Sequence, residues 1–385
     1  KSKQTFFWNS YPGIAKDGQE KRRTLKEVTK RSVERHLVSN VPVSLFLSGG
    51  VDSSVIAASI PQSQLPLTAY TVGLIGEAED EDMATSRLVA SQLNLDHEIL
   101  RLGKLAIDDI VGSIAYFDEP FADTAILATS MLTKAASETT KVVLTGDGAD
   151  ELNYGYPIYR RLSEAGDISL PLYQLLTGAL GTNRHCYAWG IKRAPSSDER
   201  YTGMYYGIPK SFIETLLGRS LQLRPSLPTH PTPEVLRNYD LEVTLPDYYL
   251  HKIDKLSMYH SLEVRVPFLD LDVFAALEQF DSQNHYDRFG PKAMLRQEFA
   301  GALPRAVFTR RKKGMQRDWK YLLGDHLSPL LAEYISNELL SWLEIKESSF
   351  LKVISKKSLI ADALQWRLLV LGIWLKHNRK YISLT

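Results

Sequence analysis

The sequence is short of what a covalently stapled, membrane-anchored or nucleic-acid-coating protein would need. A single cysteine, Cys186, stands among 385 residues, so neither an intramolecular disulfide nor a cysteine-rich zinc site can form. That scarcity suits a reducing compartment, and the cytoplasm is the expected location. Neither sign of charge is in excess: 46 Lys plus Arg face 45 Asp plus Glu, a net charge of +1. A nucleic-acid-coating chain would show a basic surplus, so no nucleic-acid partner is expected. Long hydrophobic runs are also missing. The longest, Leu368 to Leu375, has eight residues, whereas a membrane-spanning helix needs roughly 20. It reads as a buried C-terminal helix, and no membrane partner is expected. The segment Lys1 to Trp8 runs at once into polar turn residues, unlike a signal peptide. The nine histidines show no close metal-ligand spacing.

What remains is an ordinary folded composition, 44% apolar and 24% charged. The length exceeds one average domain. Residues 9–24, with Pro12, Gly13 and a run of charges, read as linker. An amphipathic helix is predicted over Leu25 to Leu37, with Leu25, Val28, Val33 and Leu37 near one face. Val41 to Leu47 is an apolar run ending in Ser48-Gly49-Gly50, with a helical pattern from about Asp52. That is a buried strand, a glycine-rich turn and a helix. Further strands are predicted at Leu67 to Leu74, His97 to Leu100 and Lys141 to Thr145, the last again ending in glycines. Between them lie helices, one with Ala84, Leu88, Val89 and Leu93 on one face and another carrying Leu127, Met131 and Ala135.

Alternating strands and helices imply an α/β fold, a parallel sheet with flanking helices. Ligands bind such sheets beyond the carboxyl ends of the strands, where both glycine turns, 48–50 and 146–148, lie. Past about Arg160 strand signals become scarce. Residues 225–233 are proline-rich and read as an extended connection, and helical patterns resume from about 246. The expected organisation is a linker over 1–24, an ATP-binding α/β core over 25–160 and a mostly helical remainder over 161–385.

The chemistry centres on Ser48-Gly49-Gly50-Val51-Asp52-Ser53-Ser54. It lacks the lysine of a Walker A loop and does not match GxGxxG. It still has the makings of a phosphate cradle: glycines that admit close backbone N–H groups, hydroxyls on Ser48 and Ser53, and a helix N-terminus. A bare phosphate would repel Asp52, which makes sense if magnesium bridges the two. The alternative is an ordinary strand-to-helix turn with Asp52 as a capping residue.

This loop resembles the pyrophosphate loop of ATP-pyrophosphatase (PP-loop) domains, and the rest resembles the C-terminal synthetase domain of the asparagine synthetase family. The likeness is carried by Val41 to Val43, Phe46 to Ser54, Asp118 to Asp123, Leu144 to Glu151 (LTGDGADE) and Leu262 to Asp270 (LEVRVPFLD). Asp254-Lys255 through Met258, Lys292 to Arg296, Leu303-Pro304 and Arg310 to Gly314 extend it, from about residue 25 to the C-terminus.

The resemblance implies an adenine-nucleotide α-hydrolase-like fold, ATP as substrate and magnesium as cofactor. It implies that a carboxylate attacks the α-phosphate, giving an acyl-adenylate and pyrophosphate, and that ammonia or an amine then displaces AMP. Aspartate to asparagine is the simplest case. A macrolactam- or lactam-forming cyclase and a non-catalytic partner are the alternatives. On this resemblance Ser48, Gly49, Gly50, Asp52 and Ser53 hold pyrophosphate, and Leu47, Val72, Thr145 and Gly146 hold the nucleoside. Asp52 and Asp150 are the metal ligands. Lys292 compensates phosphate charge, and Asp147 takes the acidic position tied to adenylate formation and amine handling. The bland alternatives are that Asp147 and Asp150 are simply turn residues beside glycines and that Lys292 is a solvated helix lysine. Glu263 and Arg265 read as an ion pair or as catalysts, and Arg310 to Lys313 as a phosphate-binding run or a solvated face.

Members of the family usually carry an N-terminal glutaminase domain with a nucleophilic cysteine first. No such domain is seen here, and residues 1–20 resemble the linker that follows it. Ammonia is therefore expected to come from solution or from a glutaminase domain or subunit, and a homodimer is admitted. The chain departs from the family pattern at Ser44, Met315 and Leu152-Asn153-Tyr154-Gly155-Tyr156.

Overall fold

The structure is a computed structural model that describes residues 24–74, 81–103, 105–163, 168–179, 184–205, 207–221, 228, 231–309, 319–356 and 358–379. Residues 1–23 of the expected linker over 1–24, the Arg310 to Gly314 run, Met315 and most of the proline-rich run lie outside them. Two compact units are built from interleaved stretches of chain. The first takes residues 24–100, 140–155 and 263–309, and the second 101–139, 156–262 and 319–379.

The first unit holds a five-stranded sheet. Its elements are α1 (Leu25–His36), β1 (Val43–Phe46), α2 (Val51–Ala58), β2 (Thr68–Leu74), α3 (Glu81–Leu93), β3 (Asp96–Leu102), β4 (Val142–Leu144), α4 (Ala149–Leu152) and β5 (Glu263–Arg265). They are followed by α5 (Leu271–Leu277), a hairpin of β6 (Tyr286–Asp287) and β7 (Gly290–Pro291), and α6 (Ala293–Phe299). Strand order is β3-β2-β1-β4-β5. β1 pairs in parallel with β2 and with β4, and β4 with β5. The connection from β1 leads outward to β2 and β3, while β4 returns on β1's other side. The order therefore reverses between β1 and β4, which opens a crevice at their carboxyl ends.

Each predicted strand forms, with shifted ends. Val41 is 43% exposed and stays outside β1. β3 extends beyond His97 to Leu100 at both ends. Leu45, Val143 and Leu144 are wholly buried, as strands covered on both faces require. Helix α1 starts at a capping box between Thr24 and Glu27 and buries Leu25, Val28 and Val33, with Leu37 just beyond it also buried. The predicted face of α3 is corrected: Leu88 is 53% exposed and Ala84 is exposed, while Met83, Ser86, Val89 and Ala90 are buried. That face carries small and polar side chains because α2 packs closely on α3. A methyl group on Gly49, just before α2, would stand 2.8 Å from both the Asp82 carbonyl oxygen and the Ser86 nitrogen.

Apart from the end of β3, the second unit is helical in its described residues. Its helices start earlier than 246. A helical stretch runs from Pro233 to Tyr259, with an 11-residue π-helical segment, Asp240–Leu250, in its middle. Thr232 caps it, accepting from the Val235 amide, and Pro233 sits at the first helical position. The proline belonged to a helix start rather than to an extended connection. Leu368 to Val370 and Ile373 are buried in the helix Leu359–Asn378, the expected C-terminal helix. No helix among the described residues is long and apolar enough to cross a membrane. Cys186 lies on the helix Arg184–Lys192.

Candidate active site

Both glycine turns lead from neighbouring strands at the point where strand order reverses. After β1, Gly49 takes a left-handed conformation (φ +68°) and Gly50 caps α2. Hydroxyls tie this turn to itself. The Ser48 amide donates to Ser53 Oγ at 3.1 Å, the Ser48 and Ser53 hydroxyls lie 3.1 Å apart, and the Gly50 amide donates to Ser48 Oγ at 3.3 Å. Leu47 follows β1 and donates its amide to the Tyr70 carbonyl, while Thr71 Oγ1 donates to the Leu47 carbonyl. Val72 is next along β2.

After β4, Thr145 donates its amide to the Arg265 carbonyl, so β5 fixes where this turn begins. The Thr145 hydroxyl donates to Asp147 Oδ2 at 2.7 Å. Gly148 is left-handed (φ +85°), and a Cβ on it would meet Leu269 Cδ2 at 2.3 Å. The two acids then take equivalent places, each the second residue past a glycine cap: Asp52 after Gly50 and Asp150 after Gly148. The positive end of each helix favours a carboxylate there.

Lys292 closes the site. It precedes α6 in a left-handed conformation (φ +69°) that a non-glycine residue seldom adopts. The hairpin before it imposes that backbone. Arg296 donates from Nε to Asp287 Oδ2 at 2.9 Å, and from Nη2 to Asp287 Oδ1 at 2.7 Å and to the Gly290 carbonyl at 2.5 Å. Burial works against the Asp287 charge, but Arg296 and the Phe289 and Gly290 amides hold its carboxyl below the usual range.

So placed, Lys292 Nζ stands 2.6 and 2.5 Å from the two Asp52 oxygens and 2.6 Å from Asp150 Oδ1. The lysine is buried, with its side chain 6% exposed, and the two carboxylates are about one-fifth exposed, at 21% and 19%. Burial pushes the ammonium pKa down, but Asp150 and Asp52 outweigh it and hold the lysine well above its ordinary range. It is not a solvated helix lysine. Gly155 lines the same spot: a Cβ there would lie 2.0 Å from Asp150 Oδ1 and 2.6 Å from Lys292 Cε.

Every sequence-predicted site residue belongs to the first unit, on β2, in the two turns, in the first turn of α2 or α4, or just before α6. Gly155, Arg296 and Asp287 were not singled out as site residues. Arg296 had a signal in the Lys292 to Arg296 segment, and Gly155 in the departure at 152–156. Arg265 is structural: it pairs with Glu263 at 2.7 Å and donates to the His36 and Val38 carbonyls at the end of α1. Two further quoted segments meet in the second unit, where Lys252 and Lys255 form ion pairs with Asp123 and Asp118 at 2.7 and 2.5 Å.

Two carboxylates reaching one cationic centre fit magnesium, which takes one or two protein carboxylates and draws its other ligands from phosphate and water. Among the described residues no group of three or more His, Cys, Asp or Glu is arranged to hold a metal.

The motifs agree with the comparison to known proteins. Residues 24–376 match the family described as asparagine synthase. The chain belongs to the asparagine synthase family. Asparagine synthetase (glutamine-hydrolysing) 1 of Bacillus subtilis is 26% identical over 81% of this chain and 52% of its own. A Mycobacterium tuberculosis protein, provisionally named a glutamine-hydrolysing asparagine synthetase, is 31% identical over 74% of this chain and 46% of its own. The mouse asparagine synthetase is 25% identical over 67% of this chain and 51% of its own. The chain thus spans about half the length of the curated relatives it matches.

Proposed function

We propose that this member of the asparagine synthase family is an ATP-dependent amide synthetase that releases AMP and pyrophosphate, with aspartate to asparagine the simplest reaction. The observation that carries the reading is the meeting of three separate family segments at one point: Asp52 from the first turn and Asp150 from the second each lie within 2.6 Å of the Lys292 ammonium, which comes from the start of α6.

In this reading Ser48, Gly49, Gly50 and Ser53 receive the β- and γ-phosphates through amides and hydroxyls that otherwise bond one another. Leu47, Val72, Thr145 and Gly146 hold the nucleoside, largely through backbone groups. Asp52 and Asp150 hold magnesium, which when bound offsets phosphate charge and eases departure of pyrophosphate. A substrate carboxylate oxygen bonds to the α-phosphorus, and the bond to the bridging oxygen breaks towards pyrophosphate. Lys292 stabilises the charge that grows on the phosphate oxygens. The nitrogen nucleophile then bonds to the acyl carbon, loses a proton and expels AMP. Asp147, oriented by the Thr145 hydroxyl, is the acid positioned for that amine step. A glutaminase portion, as the names of the relatives suggest, is the proposed source of ammonia.

The test is magnesium-dependent pyrophosphate release, screened over aspartate and other carboxylates with ammonia supplied. Aspartate-dependent release with stoichiometric asparagine is expected. ATP hydrolysis or release unaffected by any carboxylate would overturn the reading.

A further inference from the structure

Asp52 and Asp150 do not simply lie near each other; they are joined by the lysine. The Lys292 ammonium donates to both Asp52 oxygens, at 2.6 and 2.5 Å, and forms an ion pair with Asp150 Oδ1 at 2.6 Å. The two hydrogen bonds are short even for charge-assisted ones. The point where the two carboxylates converge is therefore taken by Nζ. The three groups sum to one negative charge, so a divalent cation arriving alone meets half the charge that two bare carboxylates would offer. It must also displace a buried ammonium from both carboxylates.

We infer that Lys292 is the resident counter-cation of this site. In the nucleotide-free protein it occupies the carboxylates and keeps a divalent metal out. It releases them only when polyphosphate oxygens arrive to receive the ammonium. Metal and nucleotide then enter together, and the same side chain that guards the empty site becomes the phosphate-facing cation of the loaded one. The backbone supports this division of labour. The left-handed turn at Lys292 is clamped through Arg296, Asp287 and Gly290, so exchange needs only rotation along the lysine stem. The inference rests on the assignment of Asp52 and Asp150 as metal ligands made above.

The experiment measures Mn²⁺ binding to the full chain from the signal of free Mn²⁺ in electron paramagnetic resonance. It is run with and without the non-hydrolysable nucleotide α,β-methylene-ATP. Wild type is expected to bind Mn²⁺ alone roughly tenfold or more weakly than it does with the analogue present. Lys292→Met should bind Mn²⁺ alone roughly tenfold or more tightly than wild type, because the ammonium no longer competes for the two carboxylates. Mn²⁺ alone should then raise the melting temperature of Lys292→Met but not of wild type. Adding Asp52→Asn to Lys292→Met should erase the gain. The inference is overturned if Lys292→Met binds Mn²⁺ alone no more tightly than wild type, or if wild type binds it equally with and without the analogue. The wild-type comparison needs no variant, and Lys292→Gln replaces methionine if that protein folds poorly. Failure of the underlying assignment looks different: analogue-dependent Mn²⁺ binding would survive unchanged in Asp52→Asn and in Asp150→Asn.

Discussion

After β1 the chain turns through Gly49 and Gly50 into an eight-residue helix; after β4 it turns through Gly146 and Gly148 into one of four residues. Each turn delivers an aspartate two residues past its glycine cap. The first is held by neutral hydroxyl and amide groups that satisfy one another, so it can exchange those bonds for phosphate oxygens at little cost. The second is held by contact. Leu269 crowds Gly148, and Gly155 leaves room for Asp150 and Lys292 with nothing to spare. A binding surface can be built from exchangeable hydrogen bonds, whereas a charge centre needs fixed separations.

Removing the charges is the strongest way to break that comparison. Asp52→Asn and Asp150→Asn should each lower magnesium-dependent pyrophosphate release by about 10³-fold or more, since each strips a carboxylate from the same centre. Near-normal turnover in either would separate the turns functionally. Next comes Lys292→Ala, expected to cost about 10²–10³-fold in kcat with a smaller rise in KM for ATP, and to be only partly rescued by Lys292→Arg.

Gly155→Ala tests the contact-held turn directly. Its methyl group cannot fit unless Asp150 and Lys292 separate, so activity should fall by about tenfold to a hundredfold, with about 1–3 kcal/mol lost from stability in urea unfolding. Gly49→Ala faces main-chain atoms of α3 and a positive φ; it should cost similar stability but raise KM for ATP rather than lower kcat. Equal kinetic signatures for the two glycine variants would erase the distinction between the turns. Ser53→Ala removes one exchangeable bond of about 0.5–1.5 kcal/mol and should raise KM for ATP by about three- to tenfold.

The smallest expected effect is none. The Lys292 pKa is raised on folding, so its contribution to stability is complete below the ordinary lysine range and is lost only as pH climbs through the higher folded value. Urea unfolding of wild type and Lys292→Met should therefore differ by the same amount at pH 6 as at pH 9. A difference that shrinks within that window would mean that the ammonium is not held as its partners suggest.

The sheet was legible because its strands are buried on both faces: VPVSLFL and KVVLT are almost unbroken apolar runs, each stopped by glycine. β5 was not, because Glu263 and Arg265 point its short sequence away from that pattern. What makes Glu-Val-Arg a strand is β4 beside it, pairing Val143 with Val264. The face of α3 was misread because close packing on α2 favours Ser86 and Ala90 over the larger Leu88. For the site, residue types and spacing named the acids and the lysine. They did not show that the Lys292 ammonium pairs directly with both carboxylates, because that depends on strand order and on the hairpin that Arg296 clamps.

Lys292 and Asp52 lie 240 positions apart along the chain. The unit that joins them is assembled from three stretches, with residues 101–139 and 156–262 belonging elsewhere. During synthesis the strand pair β1–β4 can close long before the lysine leaves the ribosome. At about 5–20 residues per second, the 142 residues added after Asp150 up to and including Lys292 take roughly 7–28 s to make. For that time a nascent chain with most of its sheet strands already made carries the two acids without their lysine.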